Sequence, residues 1–134
     1  MGKNADLLRE VFRDFNRSGI DSVLDLMHPQ IEVIDLPQVP EERRRHGREA
    51  VAAWFHSMED VWARLSVDAE EVTELDAERV LAAVRFSGHA RGSGMDIEQR
   101  VAIVCTIRDG KAVRWQIYPS RDEAIAEASA EPRA

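Results

Sequence analysis

The apolar residues of this chain change their spacing once, close to Leu65. Before that point they recur at intervals of three and four, which is the spacing of one face of a helix. After it, apolar and polar residues alternate in runs that are separated by turn-forming residues, which predicts strands. Because consecutive strands joined by short turns form hairpins, we expect an antiparallel meander in the second half, covered by helices from the first half.

Two helices are predicted near the start of the chain. The first covers residues 6–17 and should stop at Gly19, which ends helices well. A shorter one should begin at Asp21, whose side chain can cap a helix, and should end at Pro29. The two helices together are expected to form a helical hairpin.

A strand, a loop and a long helix are predicted next. The short apolar segment at residues 31–36 is typical of a strand, and the polar, proline-containing segment at residues 37–46 is typical of a loop. A third helix should begin near Gly47, because apolar residues keep helical spacing from Val51 to Leu65. It would carry two of the three tryptophans of the chain.

Four strands and a C-terminal tail complete the predicted elements. Asp-Gly at residues 109–110 and a Gly-Ser-Gly sequence at residues 92–94 favour hairpin turns. The tail at residues 122–128 has helical propensity but little apolar periodicity. The predicted strands are residues 66–75, 79–90, 96–108 and 112–118.

Length and composition predict one domain over residues 1–134, with a core at about residues 4–128 and a frayed tail. The net charge of −7 disfavours binding to nucleic acid and to anionic membranes. The single cysteine, Cys105, excludes an internal disulfide and is typical of a reducing compartment. Since the first residues contain no apolar signal segment, we expect a cytoplasmic protein.

Asp35, at the end of the predicted strand, is the leading candidate for chemistry. A carboxylate that points into an apolar pocket has its pKa raised toward the range in which it acts as a general base. The alternative is that Asp35 only accepts hydrogen bonds from amides of the following loop. The function therefore depends on the direction in which this side chain points.

Two histidines are weaker candidates for proton transfer. His46 lies where the polar loop meets the third helix, so it either overhangs the pocket mouth as a partner acid or base or is an exposed loop residue. His89 should point away from the pocket by strand alternation, unless a bulge at Gly88 reverses its direction. No histidine pair has a metal-ligand spacing and Cys105 has no cysteine partner, so neither a metal nor another cofactor is expected.

Arg43, Arg44, Arg45 and Arg48 form a short basic run that follows two glutamates. A solvated loop is one interpretation. The other is an electrostatic gate for an acidic ligand.

The order of the elements resembles the nuclear transport factor 2-like superfamily, and within it the SnoaL-like polyketide-cyclase branch. The resemblance covers about residues 4–128 and depends on Leu-Met-His-Pro at residues 26–29, His-Gly-Arg-Glu-Ala-Val at residues 46–51 and Ile-Arg-Asp-Gly-Lys-Ala-Val at residues 107–113. It implies an α+β fold in which three helices from the N-terminal half pack on the concave face of a cone-shaped, curved antiparallel sheet. It also implies a pocket for a small hydrophobic ligand and a homodimer.

The resemblance assigns pocket positions on the helices and on the strands. Gln99 would be a polar group among apolar neighbours and would orient a carbonyl oxygen, whereas Tyr118 would lie on the opposite face unless its strand twists or ends there. The residues that would line the pocket are Phe12, Phe15, Trp54, Phe55, Met58, Phe86, Gln99, Val101, Ile103, Trp115 and Ile117.

Laid against ketosteroid isomerases of the same superfamily, Asp35 takes the position of the general base. The two oxyanion donors of that family fall near Val11 and Ile103, which cannot donate hydrogen bonds. Because one such donor is worth about 2.7–4 kcal/mol in a hydrolase, ketosteroid isomerisation is not expected.

The sequence thus predicts a cofactor-free isomerase-, cyclase- or hydrolase-type enzyme that acts on a small hydrophobic carbonyl compound. Asp35 would be the base, His46 its partner and Gln99 the orienting group. The alternatives are a binding module that holds a ligand without reaction and a structural dimerisation domain with a filled core.

Overall fold

The computed structural model describes residues 2–36 and 44–130. The described elements are, in chain order, α1 (Lys3–Ser18), a 3₁₀ helix (Ile20–Leu26), β1 (Met27–Ile34), β2 (Arg44–His46), α2 (Arg48–Met58), β3 (Trp62–Glu74), β4 (Arg79–Ala90), β5 (Asp96–Arg108), β6 (Lys111–Tyr118) and α3 (Arg121–Ala130).

The described strands belong to one sheet in the order β2-β1-β6-β5-β4-β3. Strands β3 to β6 form the predicted antiparallel meander, whereas β1 runs parallel to β6. The sheet is curved and does not close on itself. The predicted α+β class, a curved sheet covered by helices, is therefore confirmed.

The main core lies between one face of the sheet and the helices of the first half. Helix α1 buries Leu8, Val11 and Phe12, and α2 buries Val51, against apolar residues of the strands. Gly47 has a positive φ of 95°, which favours glycine, and its N–H donates to the Ile31 carbonyl over 2.7 Å. This bond fixes the start of α2 against β1.

The second face of the sheet is covered by α3. Ala124 is fully buried and packs with Leu81, Ala102, Val104 and Tyr118 in a separate core cluster. The expectation of a tail with little apolar periodicity underestimated this helix, because its buried residues are alanines.

Helix α1 also protects the edge strand β3. The Asn16 side-chain amide donates to the Val67 carbonyl and accepts from the Val67 N–H, both over 2.8 Å. The Arg9 guanidinium donates to the Val72 carbonyl. These bonds occupy backbone groups that an exposed edge would offer to another strand.

Several predicted boundaries differ from the structure. The shorter helix is a 3₁₀ helix that ends at Leu26 rather than at Pro29, and Pro29 lies inside β1, which starts at Met27. The third helix ends at Met58, and Trp62 begins β3. Residues 44–46 of the predicted loop form β2, while residues 37–43 of that loop lie outside the described residues.

Trp62 lies on the strand because β4 leaves room for its ring. A Cβ atom added at Gly88 would come within 2.7 Å of the Trp62 ring. The ring also packs edge-on against Phe86, with 6.3 Å between the ring centroids. The close approach to Gly88 depends on pairing between distant residues, which local apolar spacing does not reveal.

Asp76 stabilises the turn between β3 and β4, and its role predicts a pH effect. The buried position disfavours its charge, but hydrogen bonds from the backbone N–H groups of Glu78 and Arg79 and from the Arg79 side chain lower the pKa of Asp76. Stability from a lowered pKa is present above the unfolded value of about 3.9 and is lost as the pH falls through the folded value. We expect Asp76→Asn to lower the free energy of unfolding by about 1–3 kcal/mol at pH 7, and by less at pH 3.

Urea unfolding of both proteins at the two pH values measures this difference. Asp60→Asn is the control, because Asp60 is exposed in the turn after α2. A penalty for Asp76→Asn that grows toward low pH would contradict the assignment.

Among the described residues, no helix combines the length and the hydropathy that a membrane span needs.

Candidate functional site

An apolar cavity of about 100 Å³ lies between the helices and the sheet. Its size is close to that of cavities that hold a single aromatic ring, which are on the order of 150 Å³. Every described lining residue has an apolar side chain. The wall can therefore bury a small hydrophobic body, and among its described residues it contains no charged side chain.

The predicted apolar pocket residues all lie in this wall. They come from α1, α2 and β4 to β6, and they are Phe12, Phe15, Trp54, Phe55, Met58, Phe86, Val101, Ile103, Trp115 and Ile117. The remaining residues of the wall are Val11, Ile20, Val23, Met27, Ile31, Val33, Val51, Val67 and Val84. A role for any of them in binding a substrate stays a prediction.

Asp35 follows the cavity-lining residues of β1. Ile31 and Val33 line the cavity, and Asp35 continues their alternation one residue past the end of β1 at Ile34. Its side chain is 16% exposed, and its Oδ1 accepts a hydrogen bond from the Leu36 N–H over 2.7 Å. Asp35 is outside the cavity wall itself, so we describe its position as the rim.

Arg45 is the second charged residue of the rim. It is the cross-strand neighbour of Val33, so both side chains leave the sheet on the cavity side. Its guanidinium lies over the ring of Trp54, with 4.3 Å from Cζ to the ring centroid. One of its nitrogens, Nη1, lies 3.8 Å from Oδ2 of Asp35. We call Asp35, Arg45 and Trp54 the rim cluster.

His46 is not brought together with Asp35. It is exposed, and its cross-strand neighbour is Glu32, which alternates with the cavity residues of β1. Arg45, one position earlier, takes the cavity side instead. The expected placement of His46 over the pocket mouth is therefore wrong, because residues 44–46 form a strand in which alternation decides the direction.

Gln99 takes the predicted face but lies beyond the cavity. It pairs with Phe86 and shares its face of β5 with Val101 and Ile103. Its side chain is exposed and is not part of the cavity wall. The structure thus does not place Gln99 where it would orient a carbonyl oxygen inside the cavity.

His89 and Tyr118 also lie away from the cavity. His89 Nδ1 is 2.6 Å from Oδ1 of Asp96, in a polar surface groove. Tyr118 is 5% exposed and packs beneath α3 on the second face of the sheet, next to Ala124. Neither the bulge considered for His89 nor the twist considered for Tyr118 turns these side chains toward the cavity.

Cys105 is fully buried among core residues, and burial raises the pKa of its thiol to about 12. Since the thiolate is the reactive form, we expect no reaction with a thiol reagent at pH 8 while the protein is folded. Labelling should appear only with the urea unfolding transition, which mass spectrometry can follow. Rapid labelling of the native protein would contradict this burial.

Within residues 2–36 and 44–130, no group of three or more His, Cys, Asp or Glu side chains is arranged to hold a metal ion.

Sequence reasoning did not select Arg45 as a site residue. The run at residues 43–45 favoured a solvated loop, and the alternative of an electrostatic gate did not distinguish one arginine from the next. The signal that separates them is the alternation of a three-residue strand, which is too short to recognise without its partner strand.

Known proteins agree with this fold. An NTF2-like protein of unknown function from Burkholderia pseudomallei is 21% identical, with a TM-score of 0.76, and the match covers 94% of this chain and 97% of that one. A provisionally assigned polyketide cyclase from Xanthomonas campestris is 26% identical, with a TM-score of 0.74 and coverage of 91% and 93%. A Mycobacterium tuberculosis protein in complex with estradiol-17beta-hemisuccinate is 19% identical, with a TM-score of 0.74 and coverage of 88% and 94%.

The sequence has no significant match among proteins with curated functions. The sequence profile of the SnoaL-like domain, however, matches residues 8–115, which is most of the chain and includes α2 and strands β1 to β5. The chain therefore belongs to the SnoaL-like domain family.

Proposed function

We propose that this protein is a cofactor-free enzyme that binds a small hydrophobic carbonyl compound in the cavity and uses Asp35 as a general base. The observation that carries the proposal is a mostly buried carboxylate at the rim of a cavity whose described wall is apolar. Such a wall excludes water from the reacting carbon, and the carboxylate supplies the base that the proton transfer needs.

The proposed reaction begins with a proton transfer. Asp35 takes a proton from the carbon next to the carbonyl group, and the electrons of the broken C–H bond form a carbon–carbon double bond. The electrons of the C=O double bond move onto oxygen and give an enolate. Asp35, now a neutral acid, returns the proton to the same carbon or to another one, which completes an exchange or an isomerisation.

Two of the structural relatives support a small-molecule ligand. One is described as a polyketide cyclase by provisional assignment, and another is in complex with a steroid derivative. The small volume of the cavity favours a ligand whose buried part is about the size of one ring.

A non-catalytic binding module is the second candidate. It is favoured by the positions of His46 and Gln99, both exposed and outside the cavity wall. With these two residues absent from the site, the described lining residues include no second acid and no other titratable side chain. A bound ligand would then be held by burial of apolar surface and by the rim cluster alone.

Acetophenone in deuterium oxide tests the enzyme hypothesis. It has one ring, one carbonyl group and exchangeable protons on its methyl carbon. We expect the wild-type protein to replace these protons with deuterium faster than protein-free buffer does, as proton NMR will show. The same assay is run with larger apolar ketones. If acetophenone binds but neither it nor the larger ketones exchange faster than in buffer, the result would instead support the binding module.

The proposal includes a homodimer and a cytoplasmic location, both expected from the sequence. Charged cross-strand pairs such as Arg100–Glu70 and Arg85–Asp68 occupy part of the sheet beyond α3. A dimer through that face would therefore be sensitive to salt. Sedimentation equilibrium at micromolar concentration, at low and high salt, should give twice the chain mass and a salt-dependent dissociation; the mass of one chain in both conditions would contradict the dimer.

A further inference from the structure

The guanidinium of Arg45 is fixed at the rim of the cavity by its neighbours. Its Cζ lies over the ring of Trp54, which lines the cavity, and the side chain as a whole is only 20% exposed. The cation–π attraction to the indole ring restrains the guanidinium, whose N–H groups point outward within its own plane. The donors of Arg45 are therefore directed before any ligand arrives.

One of these donors is buried and unused. Among the described residues, Arg45 Nη1 has no hydrogen-bond partner, although it has almost no contact with solvent. The Asp35 carboxylate is 3.8 Å away, which allows Coulomb attraction but is too long for a hydrogen bond. A buried charged donor without an acceptor is costly, so an oxygen atom supplied by a ligand would stabilise it.

We propose that Arg45 binds the carbonyl oxygen of the ligand and stabilises the negative charge that this oxygen acquires. This inference rests on the proposed function, because it assigns the oxygen-binding group of the same cavity. It defines the ligand class as compounds with an apolar body of about one ring and a carbonyl group that forms an enolate. The carbonyl lies at the rim, and the apolar body lies in the cavity.

The charge on Asp35 determines how strongly Arg45 interacts with the oxygen of the ligand. While Asp35 is ionised, its negative charge opposes a second anion beside Arg45. Once Asp35 has taken a proton, that repulsion is gone and the enolate oxygen has Arg45 as its counter-ion. Arg45 therefore interacts more strongly with the enolate than with the neutral carbonyl, which is the condition for lowering the barrier.

Benzoate and benzamide provide the test. Both have the phenyl-carbonyl skeleton of acetophenone, but benzoate carries a negative charge on oxygen whereas benzamide is neutral. Dissociation constants are measured by NMR titration of the wild type, Arg45→Gln and Asp35→Asn. We expect Arg45→Gln to weaken benzoate binding by at least about tenfold and benzamide binding by less than about twofold, since a hydrogen bond to a charged group contributes about 1.5–3 kcal/mol.

Asp35→Asn should have the opposite effect on the charged probe. Removal of the negative charge next to Arg45 should tighten benzoate binding several-fold and leave benzamide binding unchanged. Arg44→Gln is the matched control, because Arg44 is the preceding residue of the same strand and pairs with Glu32 on the other face. It changes the net charge equally and should alter neither dissociation constant.

The results separate this inference from the proposed function. If Arg45→Gln binds benzoate as tightly as the wild type, or weakens both probes equally, Arg45 does not bind the oxygen. If the wild type binds benzamide and acetophenone but not benzoate, the inference fails while the binding cavity remains. If none of the three binds, the proposed function fails as well.

Arg45→Lys keeps the test valid if Arg45→Gln does not fold. Lysine retains the charge but not the planar fork that stacks on Trp54. We expect this variant to keep a preference for benzoate over benzamide that is several-fold smaller than that of the wild type. An unchanged preference for benzoate over benzamide would contradict the claim that a directed N–H group of Arg45 binds the oxygen.

Discussion

Asp35→Asn will lower the rate of protein-dependent proton exchange in acetophenone by about 10²- to 10⁴-fold, the contribution that a positioned general base makes. Asparagine has the same shape as aspartate but cannot accept the proton. The Leu36 N–H can still donate to the side-chain oxygen, so the melting temperature should change little. Proton NMR of the exchange and thermal unfolding by circular dichroism measure the two effects.

Glu32→Gln is the control for this variant. Glu32 is also a carboxylate of the β1 region, but it alternates to the other face and pairs with Arg44 over 2.9 Å. It should leave the exchange rate within about twofold of the wild type, because it is remote from the cavity side of the sheet. Full activity in Asp35→Asn, or an equal loss in both variants, would remove Asp35 from the role of base.

The second large effect concerns the C-terminal helix. Ala124→Asp should lower the free energy of unfolding by about 3–5 kcal/mol, because it buries an unpaired charge. Ala124 is fully buried against Leu81, Ala102 and Val104, whose side chains are all apolar. Urea unfolding followed by circular dichroism measures the loss.

Ala126→Asp is the matched control. It makes the same chemical change two residues later, on the exposed side of α3. We expect it to stay within about 0.5 kcal/mol of the wild type. Similar stabilities for the two variants would mean that α3 does not cover the sheet in solution.

The meander was predictable because its strands carry local sequence signals. Alternation and turn residues located β4 and β5 at residues 79–90 and 96–108, with the bounds that the structure has. The end of α2 was not predictable in this way. Trp62 keeps the helical spacing of the preceding residues, and only its pairing with β4 and its packing on Gly88 draw it into β3.

The candidate site shows the same contrast between features that local sequence reveals and features that depend on pairing between distant residues. The apolar wall followed from residue type and alternation together with the family resemblance, and the predicted apolar residues meet in one cavity. The positions of the polar residues could not be predicted in this way, because a shift of one residue in a strand turns a side chain from the cavity to solvent. His46 and Arg45 are neighbours in sequence, yet only Arg45 reaches the rim cluster. The role of α3 was hidden for another reason: alanine gives a weak apolar signal even where it is fully buried.

Intermolecular NOEs between acetophenone and the methyl groups of the protein test the central claim most directly, which is that this cavity is the ligand site. Ile103 and Val104 are adjacent in β5, but Ile103 lines the cavity and Val104 packs beneath α3. The account predicts NOEs from the phenyl protons to Ile103, Val101 and Val84, and none to Val104 or Leu81. NOEs to Val104 and Leu81 without any to Ile103 would contradict it.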